Sequence, residues 1–395
     1  MPVSLLLSGL ATAGAAQELP ADLLLLSRFK QKIRQDLAQV PNYTCLETIE
    51  RSQRAAGAAS FTPEDTVRVE VSNVNGKELF AWPGARGFDD RGLASMVTSG
   101  TIANGMFALS AQEVFVSDNG TFQYRGEQDL AGRRVARYDY RIPQLVSGFT
   151  ITSHGASARV ASVGSAWFDP ASLDLIRLDR HAQDLPEELG VTEVVVAIDY
   201  GRARIGESNA LLARRAELVM TRFSGSTERH AVEFSQCRAY GAESTISFDT
   251  TAEPGPEPFK PREVVLPAGL LVPVVLDTPI DSRRASVGDP VRASVREEVR
   301  KDGAPVLPAG AVITGHIRRL DRHGAPEPFF ALGIELSEAD WGTARAQFHA
   351  ELLDSRGKKD LHPEDAPGVG ILYMRGLHFQ IEPGFRMLWR TIAAP

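Results

Sequence analysis

A chain of 395 residues with 43% hydrophobic and 24% charged residues has the composition of an ordinary globular protein, long enough for two or three sizeable cores. No apolar run reaches the roughly 18 residues that a membrane span needs, which excludes a transmembrane helix from the mature chain. The net charge of −7 falls in the first part, because basic and acidic residues balance from Lys260 onward, and neither part carries the clustered basic excess that would make nucleic acid a partner.

The N-terminus departs from the rest. Residues 3–10 form a short apolar run, and the small residues Ala13, Gly14, Ala15 and Ala16 follow it, so residues 1–16 read as a secretory signal. No Lys or Arg precedes that run, which leaves an atypical signal, a start further upstream or a buried N-terminal segment as alternatives. The expected location is the periplasm or the outside of the cell. The two cysteines, Cys45 and Cys237, are then most simply a disulfide closing a loop of about 190 residues, which loop-closure entropy values at about 5 kcal/mol. Two separate buried thiols are the alternative. No CxxC pair or histidine cluster points to a metal or a redox centre, and the sequence calls for no cofactor.

Residues 19–40 carry Leu23, Leu24, Leu26, Phe29, Ile33 and Leu37 at helical spacing, with Arg28, Lys30, Lys32, Arg34 and Asp36 between them, and Pro41 ends the run. Such a basic amphipathic helix suits a membrane surface, but one followed at once by strands more often packs on a sheet. From Tyr43 the signals turn extended. Val67, Val69 and Val71 alternate over residues 66–74, Phe80 and Trp82 share residues 78–82, and Asn75-Gly76 between them is a strong hairpin signal. Residues 89–97 and 104–111 read as short helices capped by Asp89 or Asp90 and by Asn104. In residues 137–142, Tyr138, Tyr140 and Ile142 occupy one face and Arg137, Asp139 and Arg141 the other. Residues 158–179 read as two strands joined by a turn at Asp169-Pro170-Ala171-Ser172, and residues 191–200, 217–223, 230–234 and 245–249 as further strands separated by Gly201, Gly206, Gly225 and Gly241. About ten strands and two or three helices predict an α+β, mostly antiparallel domain over residues 17–249, a curved half-barrel sheet covered by short helices.

The leading amphipathic helix, the long antiparallel strands and the hairpin GSAWFDPASLDLIRLD resemble the lipoprotein-localisation carriers and outer-membrane lipoprotein-sorting proteins of bacteria. That resemblance implies an unclosed barrel wrapped round a helical lid, with a concave face that holds acyl chains or other greasy ligands. The stretches PNYTCLETIERS and FSQCRAYGAESTI also resemble exported proteins of acidobacteria.

Residues 250–262, with Pro254, Pro256, Pro258 and Pro261, read as a semi-rigid linker. Beyond it, Val265-Leu266-Pro267-Ala268-Gly269 recurs as Val306-Leu307-Pro308-Ala309-Gly310, each ahead of an apolar extended run. Val291, Ala293 and Val295 alternate towards a hairpin signal at Asp302-Gly303. Residues 263–395 are therefore expected to form a small β-barrel with two similar halves. Residues 266–317, from LPAGLLVPVVL to AVITGHI, resemble the barrel domain of TrbI-type conjugation-channel proteins, which implies a fold and no activity. Residues 354–366 read as an exposed loop, residues 370–374 and 385–392 as closing strands, and Trp389 as core.

No hydrolase elbow, zinc-protease motif, phosphate loop or dinucleotide fingerprint occurs. Ser153-His154, Asp179-Arg180-His181 and His362-Pro363-Glu364-Asp365 are the places where a base sits beside a partner, and each fits a solvated turn or strand edge, so no catalytic residue is assigned and no enzyme expected. The expected function is an exported envelope protein that binds a lipid or a lipoprotein acyl chain, with Val67, Val69, Val71, Phe80, Trp82, Tyr138, Tyr140 and Trp167 lining the half-barrel and the second domain docking on an envelope protein. The alternative is a non-catalytic structural or assembly protein in which the same residues form a closed core.

Overall fold

The computed structural model describes residues 20–90, 92–93, 96–97, 106–153, 156–240, 261–324, 327–355 and 368–393. The expected signal over residues 1–16, residues 250–260 of the linker, the strand at 245–249, the loop from 356 onward, His154 and the His362 cluster lie outside the described residues.

Helix α1, Ala21–Gln39, stops where Val40 turns extended ahead of Pro41, because the proline ring disfavours the helical conformation in the residue before it. Strands β1 (Tyr43–Arg54), β2 (Thr62–Val74) and β3 (Lys77–Ala81) form a meander, and Asn75 and Gly76 between β2 and β3 both take positive φ, 52° and 77°, as a tight hairpin turn requires. Helix α2, Leu109–Phe115, follows. Then come β4 (Thr121–Leu130), β5 (Arg133–Ile142), the small hairpin β6 (Thr150–Ser153) with β7 (Ala156–Arg159), β8 (Ala161–Phe168), β9 (Leu175–Gln183), β10 (Val191–Ile205), β11 (Ser208–Arg222) and β12 (Thr227–Ala239). Ten of these strands make one curled antiparallel sheet in the order β3-β2-β1-β12-β11-β10-β9-β8-β5-β4.

Three expectations need correction. Within residues 89–97 the Leu93 carbonyl accepts from the Met96 and Val97 N–H groups at 3.0 and 3.2 Å, a helical turn, but Asp89 pairs with Phe80 through two backbone hydrogen bonds of 2.7 and 2.9 Å, so it extends the sheet edge where it was expected to cap a helix. The helix expected from Asn104 begins five residues later, after Ala108, whose N–H is bound by the Glu78 carboxylate at 3.0 Å. Gly201 lies inside β10, next to a register shift at Asp199 and Tyr200, so it absorbs a bulge and does not end the strand.

Cross-strand register shows how the sheet divides its faces. Directly opposed residues of an antiparallel pair point the same way. The pairs Val67-Ile49, Ile49-Val232, Val232-Ala216, Ala216-Ile198, Ile198-Leu178, Leu178-Ala166 and Ala166-Tyr138 thus form one continuous inner row across eight strands, every member buried. One residue along, the row Arg137, Trp167, Arg177, Asp199, Arg215, Glu233 and Thr48 runs over the outer face and is dominated by charge. The Cys45–Cys237 disulfide ties β1 to β12 on this sheet.

The second part is a nine-stranded, mainly antiparallel sheet with two short two-stranded additions. Gly269 and Gly310, closing the two LPAG stretches, both take left-handed φ of 87° and 80°, and each leads into a strand, Leu271–Leu276 and Val312–His323. Of the linker expected over 250–262, Arg262 already pairs in parallel with Ala344.

The two sheets share one core. Where β3 ends, the free flank of β2 is taken up by residues 286–288: the Arg68 N–H donates to the Val287 carbonyl at 2.7 Å and the Val287 N–H to the Thr66 carbonyl at 2.8 Å. Arg68 pairs with Asp289 at 2.8 Å beside it. Gly288, at φ 95°, passes so close that a Cβ there would stand 2.0 Å from the Arg68 carbonyl oxygen and 2.8 Å from the Trp82 ring, so only glycine fits. A single apolar cluster consequently runs from Val67 and Phe80 through Val287 and Val291 to Trp389.

Candidate functional site

The inner face carries two separate apolar clusters. At one end Tyr138, Tyr140 and Ile142 of β5, Ala166 and Phe168 of β8 and Leu178 of β9 meet Phe29 and Ile33 of α1 and Val114 and Phe115 of α2. The rings interlock: Phe29 stacks on Phe168 at 4.1 Å, Tyr138 meets Phe29 edge-on at 5.9 Å, and Phe115 meets Phe168 edge-on at 5.4 Å. The Tyr138 hydroxyl donates to the Asp22 carbonyl at 2.7 Å and that of Tyr140 to the Asp179 carbonyl at 3.0 Å. Burial pushes both phenol pKa values upward, so they stay neutral hydrogen-bond donors.

Leu25, Leu26 and Leu37 of α1 also pack against this cluster, and polar groups fasten the helices further. Arg202 of β10 bridges Asp36 of α1 at 2.8 Å and Asp174, while Lys32 also reaches Asp36. Lys30 bonds Asp118 at 2.8 Å and lies 4.5 Å over the Phe122 ring. Beneath α2, the buried Arg180 bonds Glu113 at 2.8 Å and Ser110 at 3.3 Å, and its guanidinium lies 4.2 Å over Phe149. Only Phe29, Ile33 and Asp36 of α1 are fully buried, and Leu23 and Leu24 remain 46% and 48% exposed. The helix is a thin cover over an aromatic floor.

At the other end of the same face, Val67, Val69, Val71 and Phe80 pack with Tyr43, Phe107 and Phe234. Glu47 stands among them, between Val69 on one neighbouring strand and Phe234 on the other. Its Oε2 has no hydrogen-bond partner among the described residues, and burial, with the Glu78 charge adding to it, pushes its pKa up to about 8.

The eight residues expected to line one groove therefore divide. Tyr138 and Tyr140 lie beneath α1 and α2, the three valines and Phe80 lie at the far end of that face, and Trp82 sits at the junction with the second sheet, its ring 5.0 Å from the Arg318 guanidinium. Trp167 is on the outer face: it opposes Arg137 and Arg177 and lies under the Arg137 guanidinium at 5.5 Å. Phe168, one residue on, occupies the inner position for which Trp167 was expected. Phe115, Phe122 and Tyr124 join the cluster as residues not singled out from the sequence, and Phe29 joins it from the apolar stripe of α1. His181 is exposed on β9, and no group of three metal-ligating side chains gathers among the described residues.

No protein-family profile matches the chain, and no curated protein matches it. Among solved structures, similar chains include an outer membrane lipoprotein-sorting protein domain from Vibrio parahaemolyticus, at 11% identity and a TM-score of 0.31, covering 56% of this chain and 95% of that one. A DUF1329 family protein from Desulfovibrio piger follows at 12% identity and 0.30, covering 55% and 93%. A LolA superfamily protein from Nitrosomonas europaea stands at 9% identity and 0.27, covering 54% and 93%. Likeness at this level carries no argument about function, which has to come from the chain's own geometry.

Proposed function

We propose that the chain is a non-catalytic binding protein of the cell envelope whose inner sheet face takes a hydrophobic or amphipathic ligand, a lipid or a lipoprotein acyl chain, when α1 lifts. The observation that carries this reading is the construction of the cover: a 19-residue helix that fully buries two apolar side chains, Phe29 and Ile33, on an aromatic floor, rests Leu25, Leu26 and Leu37 half-buried against it, and is tied down by ion pairs at its middle and end. Withdrawing Phe29 and Ile33 costs about 2 kcal/mol each in lost burial, which an acyl chain entering the same space restores. The disulfide supports an oxidising compartment outside the cytoplasm.

A second reading, a structural or assembly protein, is favoured by the close packing of Phe29, Phe115 and Phe168, each under 2% exposed, and by the core common to both sheets. Native mass spectrometry of the full chain after incubation with dodecyl maltoside-solubilised phospholipid separates the two. Retained lipid, lost in a Phe168→Asp variant that keeps its circular dichroism, supports binding. A chain that carries no lipid, and that gives no enhancement of an environment-sensitive dye when Arg202→Ala loosens α1, leaves the structural role.

A further inference from the structure

A second recess lies away from that face, at the junction of the two sheets. It has a volume of about 670 Å³, within the range of small-molecule sites, and junctions between packed units are where such sites concentrate. One wall comes from β1, β2 and β12. The other comes from residues 282–285, from Leu320 and Phe330 of the second sheet and from Leu377.

Its chemistry is divided by depth. Leu320 and Phe330 form an apolar base, 5% and 6% exposed, and Phe61 and Leu377 continue it towards solvent, Leu377 being 67% exposed. Leu377 thus presents an apolar side chain at the solvent side of this surface. Arg229, Arg283 and Arg322 surround the mouth. Arg229 is held by Glu217 and Arg283 by Asp281, whereas Arg322 is exposed and has no ion-pair partner among the described residues. The back of the recess is already neutral, because Arg51 and Asp65 close on each other through a bond of 2.6 Å from Nε and are each 3% exposed. Two further acids line the recess, Glu50, exposed on β1, and Glu64, whose pKa is raised by burial.

From this juxtaposition of an apolar base, an overhanging leucine and an uncommitted guanidinium at the rim, we propose that the junction recess binds an anionic amphiphile, its carboxylate or phosphate head on Arg322 and its apolar body against Leu320, Phe330 and Leu377. Guanidinium recognises both heads in the same forked geometry, so the chemistry is shared. The site is independent of the reading given to the face beneath α1.

Isothermal titration of the full chain at low salt with octanoate, octyl phosphate and octyltrimethylammonium tests it. Either anion binding, with affinity falling about tenfold in Arg322→Glu and again in Leu377→Asn, supports the site, and the tighter of the two names the head group. Both substitutions are at exposed positions, so an unchanged melting temperature is expected. The proposal is overturned if neither anion binds, if the cation binds as well as the anions, or if Arg322→Glu leaves affinity unchanged. Loss of binding in Phe168→Asp but not in Arg322→Glu assigns the ligand to the face beneath α1 and likewise overturns it.

Discussion

The indole of Trp82, at the end of β3, lies under the guanidinium of Arg318 from the second sheet, 5.0 Å from ring to cation, with the His316 ring 6.1 Å away on the same side chain. Arg318 also donates to the Met96 carbonyl at 2.9 Å, and His316 bonds the Pro83 carbonyl at 3.2 Å. One aromatic side chain thus organises much of the contact between the two sheets. Trp82→Ala should destabilise the protein by about 3 kcal/mol, and the one unfolding transition expected of a shared core should separate into two. Urea unfolding followed by circular dichroism and by tryptophan fluorescence checks this; one coincident transition of unchanged midpoint would count against a shared junction.

Gly288→Ala probes the same contact through the backbone. Its Cβ has no room beside the Arg68 carbonyl and its φ is left-handed, so a loss of more than about 2 kcal/mol is expected, seen as a lower urea midpoint.

Glu47 and His230 give stability opposite pH dependences. Glu47 is raised from 4.5 to about 8 in the folded chain, so the native state binds the extra proton between those values and stability falls as pH rises through them. Glu47→Gln should remove that alkaline decline and gain on the order of 4 kcal/mol over wild type at pH 9, with little difference at pH 4. His230, buried beside Arg51, is lowered from 6.5 to about 4, so its contribution is present above pH 6.5 and is lost as pH falls towards 4. His230→Gln should flatten the acid decline by about 3 kcal/mol. Unfolding free energies measured from pH 4 to 9 check both, and parallel profiles for wild type and Glu47→Gln would refute the first.

Arg202 is the strap on α1. Arg202→Ala leaves Asp36, 8% exposed, with Lys32 of its own helix as its one cation and cuts the bridge from α1 to Asp174, and amide hydrogen exchange over residues 29–37 should quicken at least about tenfold while β8 and β9 stay protected. Uniform exchange throughout the sheet would show that α1 is part of the global unit and not a cover.

Replacing Cys45 and Cys237 together by Ala should cost about 2 to 5 kcal/mol and leave the sheet order intact, because β1 and β12 are paired along their whole length beyond the bridge. Thermal unfolding with and without reductant, wild type against the double variant, measures it.

Much of the architecture could be read from residue pattern alone. The alternation of Tyr138, Tyr140 and Ile142, the Asn75-Gly76 turn, the helix ended by Pro41 and the two LPAG turns are local signals, and local signals survive into the fold. The side of the sheet taken by Trp167 was not local: it follows from the pairing of β5 with β8, where Tyr138 opposes Ala166 and Arg137 opposes Trp167. Glu47 could have been noticed, since an acid interrupts the inward series Tyr43, Cys45, Ile49. The role of Trp82 could not, because it depends on Arg318 and His316, more than two hundred residues away in sequence.

The flank of β2 at Thr66 and Arg68 is completed by residues 286–288, which act in place of an eleventh strand borrowed from the other half of the chain. Cutting the protein between its halves therefore bares main-chain donors and acceptors at a corner that has none to spare, and the orphaned piece will satisfy them by joining another molecule of its kind. Self-association after proteolysis, more than lost activity, is the signature by which separation of the halves would announce itself.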